Sequence, residues 1–441
     1  MVFCQSEVHF YPLRYNDDFS YLEGDSSKNT YGKIKYIPIS DSKKYFLSLG
    51  GEIRGQYINT KNNKWGDEQD DPNGYFLTRF LVHTDLKLGA LRLFGQLQSS
   101  LAYGLPHPSP VDLNQLDLHQ LFFDYKFFKE KDISSYARVG RQEMSYGSKR
   151  LIGEREGPNS RLSMDGVKFV FSKKDIQLDA FYLHPVKNIS GFFNDEFNTT
   201  AKLWGGYSVA NKVRLINNID LYYIGSWNEY KVFDNAQGKE LRHTFGTRIW
   251  GVQRLLNYDI ELAYQLGKLG DNRISAYTVS ANLNYRFDQI RSKPVLGLKS
   301  EIISGDKSSK DNSVETFNPL YPRGAYFGLV ALIGPVNLYD VHPSIEFELN
   351  KKLNFQMDYD FFWRWSRNDG IYSSSIQLLY SGEGIYEKYI GSQLGADIDY
   401  NIEPHISMTI EGAWFNAGSF LKAAGQGKDY FYYAFTSAIK F

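Results

Sequence analysis

Along residues 45–57 apolar and polar side chains alternate. Tyr45, Leu47, Leu49, Ile53 and Tyr57 share one side, and Ser48, Glu52, Arg54 and Gln56 share the other. Successive side chains of a strand point to opposite faces, so this pattern predicts a strand with one apolar side. The same dyad recurs to the end of the chain. Phe76, Phe80, Val82, Leu86 and Leu88 oppose Arg79, His83, Asp85 and Lys87; Leu91, Leu93 and Leu97 oppose Arg92, Gln96 and Gln98. Later, Tyr277, Val279, Leu283, Tyr285 and Phe287 oppose Thr278, Ser280, Asn282, Asn284 and Arg286, and Leu353, Phe355, Met357, Tyr359 and Phe361 oppose Asn354, Gln356, Asp358 and Asp360. Many of these runs reach the roughly 9–11 residues that cross a bilayer at a tilt, longer than the roughly 5–6 usual in a soluble sandwich. The apolar side then faces lipid and the charged side lines a lumen.

Segmentation gives about 18 strands, an even number as bacterial outer-membrane barrels require. Short connections fall near residues 88–90, 128–134, 172–175, 211–214, 253–256, 289–293, 350–352 and 401–404. Between them lie long ones near 58–74, 101–116, 143–163, 184–200, 228–242, 304–339, 366–386 and 418–428, with 268–273 the brief exception. Short periplasmic turns and long external loops produce this rhythm. In the last strand Phe431, Tyr433, Phe435, Ile439 and the terminal Phe441 share a face. A terminal aromatic on an alternating strand resembles the signal by which barrels are recognised for insertion, which assigns that role to Phe441 and a barrel-assembly machinery as partner. Residues 45–441 are thus expected to form one antiparallel barrel domain. Residues 7–44, with Pro12 and an acidic stretch at 16–18, read as an irregular periplasmic lead-in.

Composition agrees with the pattern. Aromatics are 16% of residues, yet mean hydropathy is −0.43. A chain both aromatic-rich and polar suits a barrel in which only alternate residues meet lipid and aromatics gather at the interfaces. No run of 18 apolar residues offers a transmembrane helix. The 50 basic and 50 acidic residues cancel, giving no overall preference for nucleic acid. Cys4 is the single cysteine, so no disulfide framework or cysteine metal site exists. Residues 1–6 resemble the tail of a secretory signal.

Candidate chemistry lies in charge. The eight histidines show no metal-ligand spacing, and no nucleophile elbow is present, so neither a catalytic group nor a cofactor or metal site is expected. Alternation puts His119 with Leu121, Phe123 and Tyr125 on the aromatic face, which favours a packing role. Residues 138–168 are too charged and too rich in glycine for a strand or amphipathic helix. The third external loop, 143–163, falls in this stretch, where Gly147, Gly153 and Gly157 allow it to turn back into the lumen. From 141 to 163 the five cations Arg141, Lys149, Arg150, Arg155 and Arg161 face Glu143, Glu154 and Glu156. On the walls, Arg54, Arg79, Arg92, Arg138 and Lys168 lie in the N-terminal third, whereas Glu346, Glu348, Asp358, Asp360, Asp397, Asp399 and Glu411 come later. A closed barrel puts them on different arcs, and pores select ions through such arcs. The expected pore-contacting set is therefore Arg141, Arg150, Arg155, Arg161, Arg54, Arg79, Arg92 and Arg138, opposed by Glu346, Glu348, Asp358, Asp360, Asp397 and Asp399. The bland alternative is that arginines and carboxylates pair and brace the inward loops.

Several segments carry a family resemblance. These are Arg-Tyr-Asn-Asp-Asp-Phe-Ser-Tyr at 14–21, Leu-Asp-Leu-His-Gln at 116–120, Gly-Arg-Gln-Glu-Met-Ser-Tyr-Gly at 140–147, Arg-Glu-Gly-Pro-Asn at 155–159, Asp-Gly at 165–166 and Phe-Asn-Pro-Leu-Tyr-Pro at 317–322. In this order they resemble the alginate export family of outer-membrane barrels. The resemblance implies an 18-stranded barrel whose inward loops and arginine-lined constriction pass an anionic polyuronate outward, with a periplasmic plug. The expected function is passive passage of an anionic saccharide, or of a small organic anion, by a monomer in the bacterial outer membrane. A hydrolase would need a Ser/His/acid group at one level of the wall, and an adhesin would need outward aromatic loops.

Overall fold

Eighteen antiparallel strands close into a barrel in the computed structural model, which describes residues 10–24, 29–40, 45–70, 73–130, 132–308 and 310–441. The expected signal remnant at 1–6, including Cys4, lies outside the described residues. The first nine strands are β1 Tyr45–Lys61, β2 Tyr75–Leu88, β3 Leu91–Tyr103, β4 Asn114–Lys129, β5 Ile133–Gln142, β6 Met164–Lys173, β7 Ile176–Pro185, β8 Ala201–Val213 and β9 Asn217–Val232. The rest are β10 Gln237–Gln253, β11 Leu256–Leu269, β12 Asn272–Arg286, β13 Val295–Ile303, β14 Leu338–Asn350, β15 Leu353–Arg364, β16 Tyr389–Glu403, β17 Ile406–Ala417 and β18 Tyr430–Lys440. Two further two-residue strands, Ile37–Pro38 and Ser313–Val314, extend the sheet without joining the wall.

Each wall strand pairs with the next, and β18 closes on β1 from Glu52↔Lys440 to Lys61↔Phe431. Closure matters because hydrocarbon offers no partner for an unpaired N–H or C=O, so a sheet crosses a membrane only without edges. Ile53, Phe80, Val82, Leu93, Phe123, Phe169, Leu262 and Phe435 point outward and are exposed, as alternation predicts. Arg54, Arg79, His83, Asp85, Gln96, Asp124 and Arg138 point inward and are buried by what fills the lumen.

The external loops are numbered from the closing ladder: loop 3 spans residues 143–163, loop 7 304–337, loop 8 365–388 and loop 9 418–429. One expectation fails. The long loop expected at 228–242 is a tight connection of residues 233–236, because β9 and β10 continue through a register shift to Lys231↔Gly238 and Val232↔Gln237. The bulge between Asn228 and Lys231 puts exposed Tyr230 and Val232 out of step with exposed Leu221, so the alternation that marks a strand is interrupted although the ladder is not.

The external half of the lumen holds a hydrophobic core built from loops. Met144, Leu151 and Ile152 of loop 3, Phe317, Leu320 and Ile333 of loop 7, Ile371 of loop 8 and Phe420 of loop 9 pack against inward Phe362 and Phe415. The lead-in enters from the other end. Tyr15 stacks edge-on against Phe94 and Phe122, lies under the Arg138 guanidinium, and donates to the Glu143 carbonyl at 3.0 Å. Arg14 donates to the carbonyls of Gly51 and Phe441. The lead-in therefore ties loop 3 to the seam of the barrel.

At that seam Gly51 and Phe441 exchange both backbone hydrogen bonds, and a Cβ on Gly51 would lie 2.6 Å from the Phe441 ring and 2.4 Å from the Leu81 carbonyl. Phe441 thus shares the outward face with exposed Ile439, whereas Lys440 borders the lumen. Replacing Phe441 with aspartate is expected to lower the amount of heat-modifiable barrel in outer membranes severalfold, while Lys440→Asp leaves it near wild type. Equal recovery of both variants would contradict the role assigned to Phe441.

Candidate functional site

Loop 3 follows β5, and its first side chains are fixed by buried charge. Arg161 forms ion pairs with Glu143 at 2.6 Å and with Glu156, and donates to the Pro12 carbonyl at 2.8 Å. Glu143 also contacts His119 Nε2 at 2.8 Å. His119 does not lie on the aromatic face. The β3–β4 register shifts between Gln96↔Gln120 and Leu97↔Leu118, and this bulge turns His119 inward to the loop. Burial alone would raise the Glu156 carboxyl, but Arg161, Arg79 and Arg54 outweigh it and hold it well below the usual range.

The next part of loop 3 is zipped to loop 7. Gly153 N–H donates to the Tyr321 carbonyl, Tyr321 N–H to the Leu151 carbonyl and Arg323 N–H to the Lys149 carbonyl, forming a parallel bridge at Ile152↔Tyr321. Arg150 reaches across to Glu301 at 2.7 Å and Thr278 at 2.8 Å on the far wall. Past the zipper, Arg155 adopts a left-handed backbone (φ 52°), a conformation costing about 1–2 kcal/mol for a residue with a Cβ. Its guanidinium lies 5.8 Å from the centre of the Tyr321 ring. Among the described residues no carboxylate is within ion-pair distance of Arg155 or Arg323.

Between the zipped loops and the wall lies a chamber of about 1010 Å³. Asp358, Asp360, Asp397, Asp399 and Glu411 border it on one arc of the wall, Lys299 before that arc and Lys440 and Arg54 after it, and loop residues Arg155 and Arg323 line it as well. Arg54 is held in place by the carbonyls of Glu156 (3.0 Å) and Pro158 (3.4 Å). Of the expected arginines, Arg54 and Arg155 therefore reach the chamber. Arg79 is buried on Glu52 and Glu156, Arg92 on Asp85, Arg138 on Asp124, Arg150 on Glu301 and Arg161 on Glu143, all as braces behind it. Arg141 is not lumenal. It shares the outward side of β5 with exposed Val139 and forms a two-pronged pair with Asp165, since Gly140 does not break the alternation. On the acidic side Glu348 pairs with Arg286 and Lys293, and neither it nor Glu346 borders the chamber, whereas the other four expected carboxylates do.

Two functional positions escaped the sequence reading. Arg323 follows the Phe-Asn-Pro-Leu-Tyr-Pro segment by one residue, so the signal was present, but only the loop 3–loop 7 pairing shows where it goes. Tyr15 lies in the 14–21 segment, where nothing in the pattern indicates insertion into the lumen.

Loop 7 carries a titrating latch. Asp306 is buried with one carboxylate oxygen unpartnered, and its N–H donates to Asp369 of loop 8. Burial, then the neighbouring Glu315 carboxyl and the charge of Asp369, push Asp306 up to about 7 from an ordinary 3.8. A carboxyl raised on folding stabilises below its ordinary value, and that contribution is lost as pH rises through about 7. Amide exchange of loops 7 and 8, corrected for intrinsic rate, is expected to be severalfold faster at pH 8.5 than at pH 5.5, and Asp306→Asn is expected to remove the difference. A wild-type difference that survives in the variant would locate the latch elsewhere.

A family model described as alginate export matches residues 45–434. No curated protein matches the chain. Among solved structures, Pseudomonas aeruginosa OpdK with vanillate superposes with a TM-score of 0.59 at 10% identity, covering 90% of this chain and 98% of that one. A BenF-like porin from Pseudomonas fluorescens gives 0.59 at 8% identity over the same shares. Pseudomonas aeruginosa OccK2 (OpdF) in complex with glucuronate gives 0.55 at 11% identity, covering 89% and 97%. At such identity the likeness concerns the fold.

Proposed function

This chain belongs to the alginate export family and is a channel of the bacterial outer membrane, and we propose that it passively conducts a carboxylate-bearing solute of sugar size. The carrying observation is the pair Arg155 and Arg323, two arginines that, among the described residues, have no carboxylate partner and that line one chamber from zipped loops. A guanidinium presents a planar fork that matches a carboxylate with two hydrogen bonds and keeps its charge at any ordinary pH. Low-dielectric walls focus that charge on the narrow passage. Glucuronate and vanillate, named with two of the structural neighbours, are carboxylates of this size.

An anionic polysaccharide such as alginate is the larger form of the same cargo. The filling of the lumen favours the smaller one: loops 3, 7, 8 and 9 and the lead-in enter it, and the chamber that Arg155 and Arg323 line holds about 1010 Å³. We further propose that the chain is delivered by the barrel-assembly machinery, acts as a monomer and performs no covalent chemistry. The test is ion current through single channels with glucuronate or an oligouronate added on one side. Brief blocking events with glucuronate, longer with the oligomer only if the lead-in is removed, are expected. Current unaffected by either solute would end the proposal.

A further inference from the structure

The chamber that Arg155 and Arg323 line also has a group of carboxylates that, among the described residues, no cation meets within ion-pair distance. Asp358 on β15, Asp397 and Asp399 on β16 and Glu411 on β17 all border it. Register puts Asp397 directly opposite Glu411, while Asp399 faces Thr409 and Asp358 faces Gly395. Their hydrogen-bond partners are neutral: Thr409 donates to Asp399, and Tyr432 donates to Glu411 at 3.4 Å. Asp358 Oδ1 is buried without a hydrogen-bond partner. On the same wall Asp360 meets His342 at 2.7 Å and Glu348 meets Lys293, so unpaired carboxylates are not a general habit of this arc.

Like charges directly opposed across a ladder weaken a sheet, so this grouping gives the wall no stability. Bracing accounts for Arg79, Arg138 and Arg161, whose partners are within hydrogen-bonding distance, and it does not account for these four. Two strands beyond Glu411, Arg54 is 6% exposed and its guanidinium is taken up by the carbonyls of Glu156 and Pro158, so it closes no ion pair with these carboxylates. A solute bearing only a carboxylate would gain from Arg155 and Arg323 and meet repulsion from the acidic side. The chamber is comparable in width with a Debye length of about 8 Å at physiological salt, so both kinds of charge act on a solute inside it. A solute bearing both charges satisfies both sides at once.

We propose that the favoured solute carries an ammonium group as well as its carboxylate, with the carboxylate at Arg155 and Arg323 and the ammonium at Asp397, Asp399 and Glu411. This rests on the carboxylate-channel reading and narrows its substrate class to zwitterions of sugar size, such as aminated uronates. The orientation is set by the field across the chamber, since opposed charges steer and select more than they bind.

Liposome swelling separates the two claims with three probes of one size: galacturonate, galactosamine and 2-amino-2-deoxygalacturonate. The zwitterion is expected to enter at least about threefold faster than either singly charged sugar. In Asp397→Asn/Asp399→Asn that advantage should vanish while galacturonate enters as fast as before or faster. Glu411→Gln is the second variant, and heat-modifiability confirms that each barrel has folded. Galacturonate entering as fast as the zwitterion, or a zwitterion advantage surviving in both variants, would overturn this inference and leave the carboxylate channel standing. Exclusion of both galacturonate and the zwitterion would overturn the channel reading itself.

Discussion

Replacing Arg161 with leucine is expected to detach loop 3 from the wall and raise single-channel conductance severalfold. Arg161 is 2% exposed and is shared by Glu143, Glu156 and the Pro12 carbonyl, so its loss leaves Glu143 without the one arginine that pairs with it among the described residues. Breaking a buried pair by removing one partner costs about 3–5 kcal/mol, because the remaining charge is stranded. The stranded charge sits where the loop is fastened, since His119 contacts the Glu143 carboxylate and Tyr15 and Gln120 bond its backbone. The wall should survive, because its ladder closes independently of the loop. Arg161→Lys is expected to rescue little: one ammonium cannot span two carboxylates and a carbonyl as a fork does. The check is unit conductance with limited proteolysis at residues 143–163. Wild-type conductance and protection in the leucine variant would show that loop 3 is held by packing rather than by charge.

The second large effect concerns selectivity. Reversing Arg155 and Arg323 to glutamate is expected to move the reversal potential in a salt gradient toward that of cations and to weaken glucuronate block at least about tenfold. Both residues line the chamber, and among the described residues neither has a carboxylate partner, so their charge is not spent on a brace. The same reversal at Arg141, paired with Asp165 on the outward side, should leave selectivity unchanged. If the Arg141 variant shifts the potential as much as the double variant, the chamber is not the selective point.

The wall was legible in the sequence because a membrane enforces alternation. Arg54, Arg79 and Arg138 fell on the lumenal side from period alone, and lipid-facing Phe80, Phe123 and Phe435 on the other. Legibility ended where that constraint ends. A bulge between Asn228 and Lys231 broke the period of β9 while the ladder went on, and another bulge was enough to turn His119 inward. Which arginines brace and which reach the passage depends on partners far away in sequence, such as Glu301 for Arg150 and Glu52 for Arg79. The loop 3–loop 7 zipper joins residues about 170 positions apart through backbone groups, which every residue carries, so no side-chain pattern announces it.

The central claim, that solute passes Arg155, is tested most directly by placing one cysteine there. Cys4 is the only native cysteine, so a Cys4→Ser background makes Arg155→Cys the sole thiol. A sulfonate-bearing methanethiosulfonate added during single-channel recording adds bulk and a negative charge at that point. The account predicts a stepwise fall in current and a shift of the reversal potential toward cations, with glucuronate protecting the thiol. Modification confirmed by mass with current, potential and protection all unchanged would contradict it.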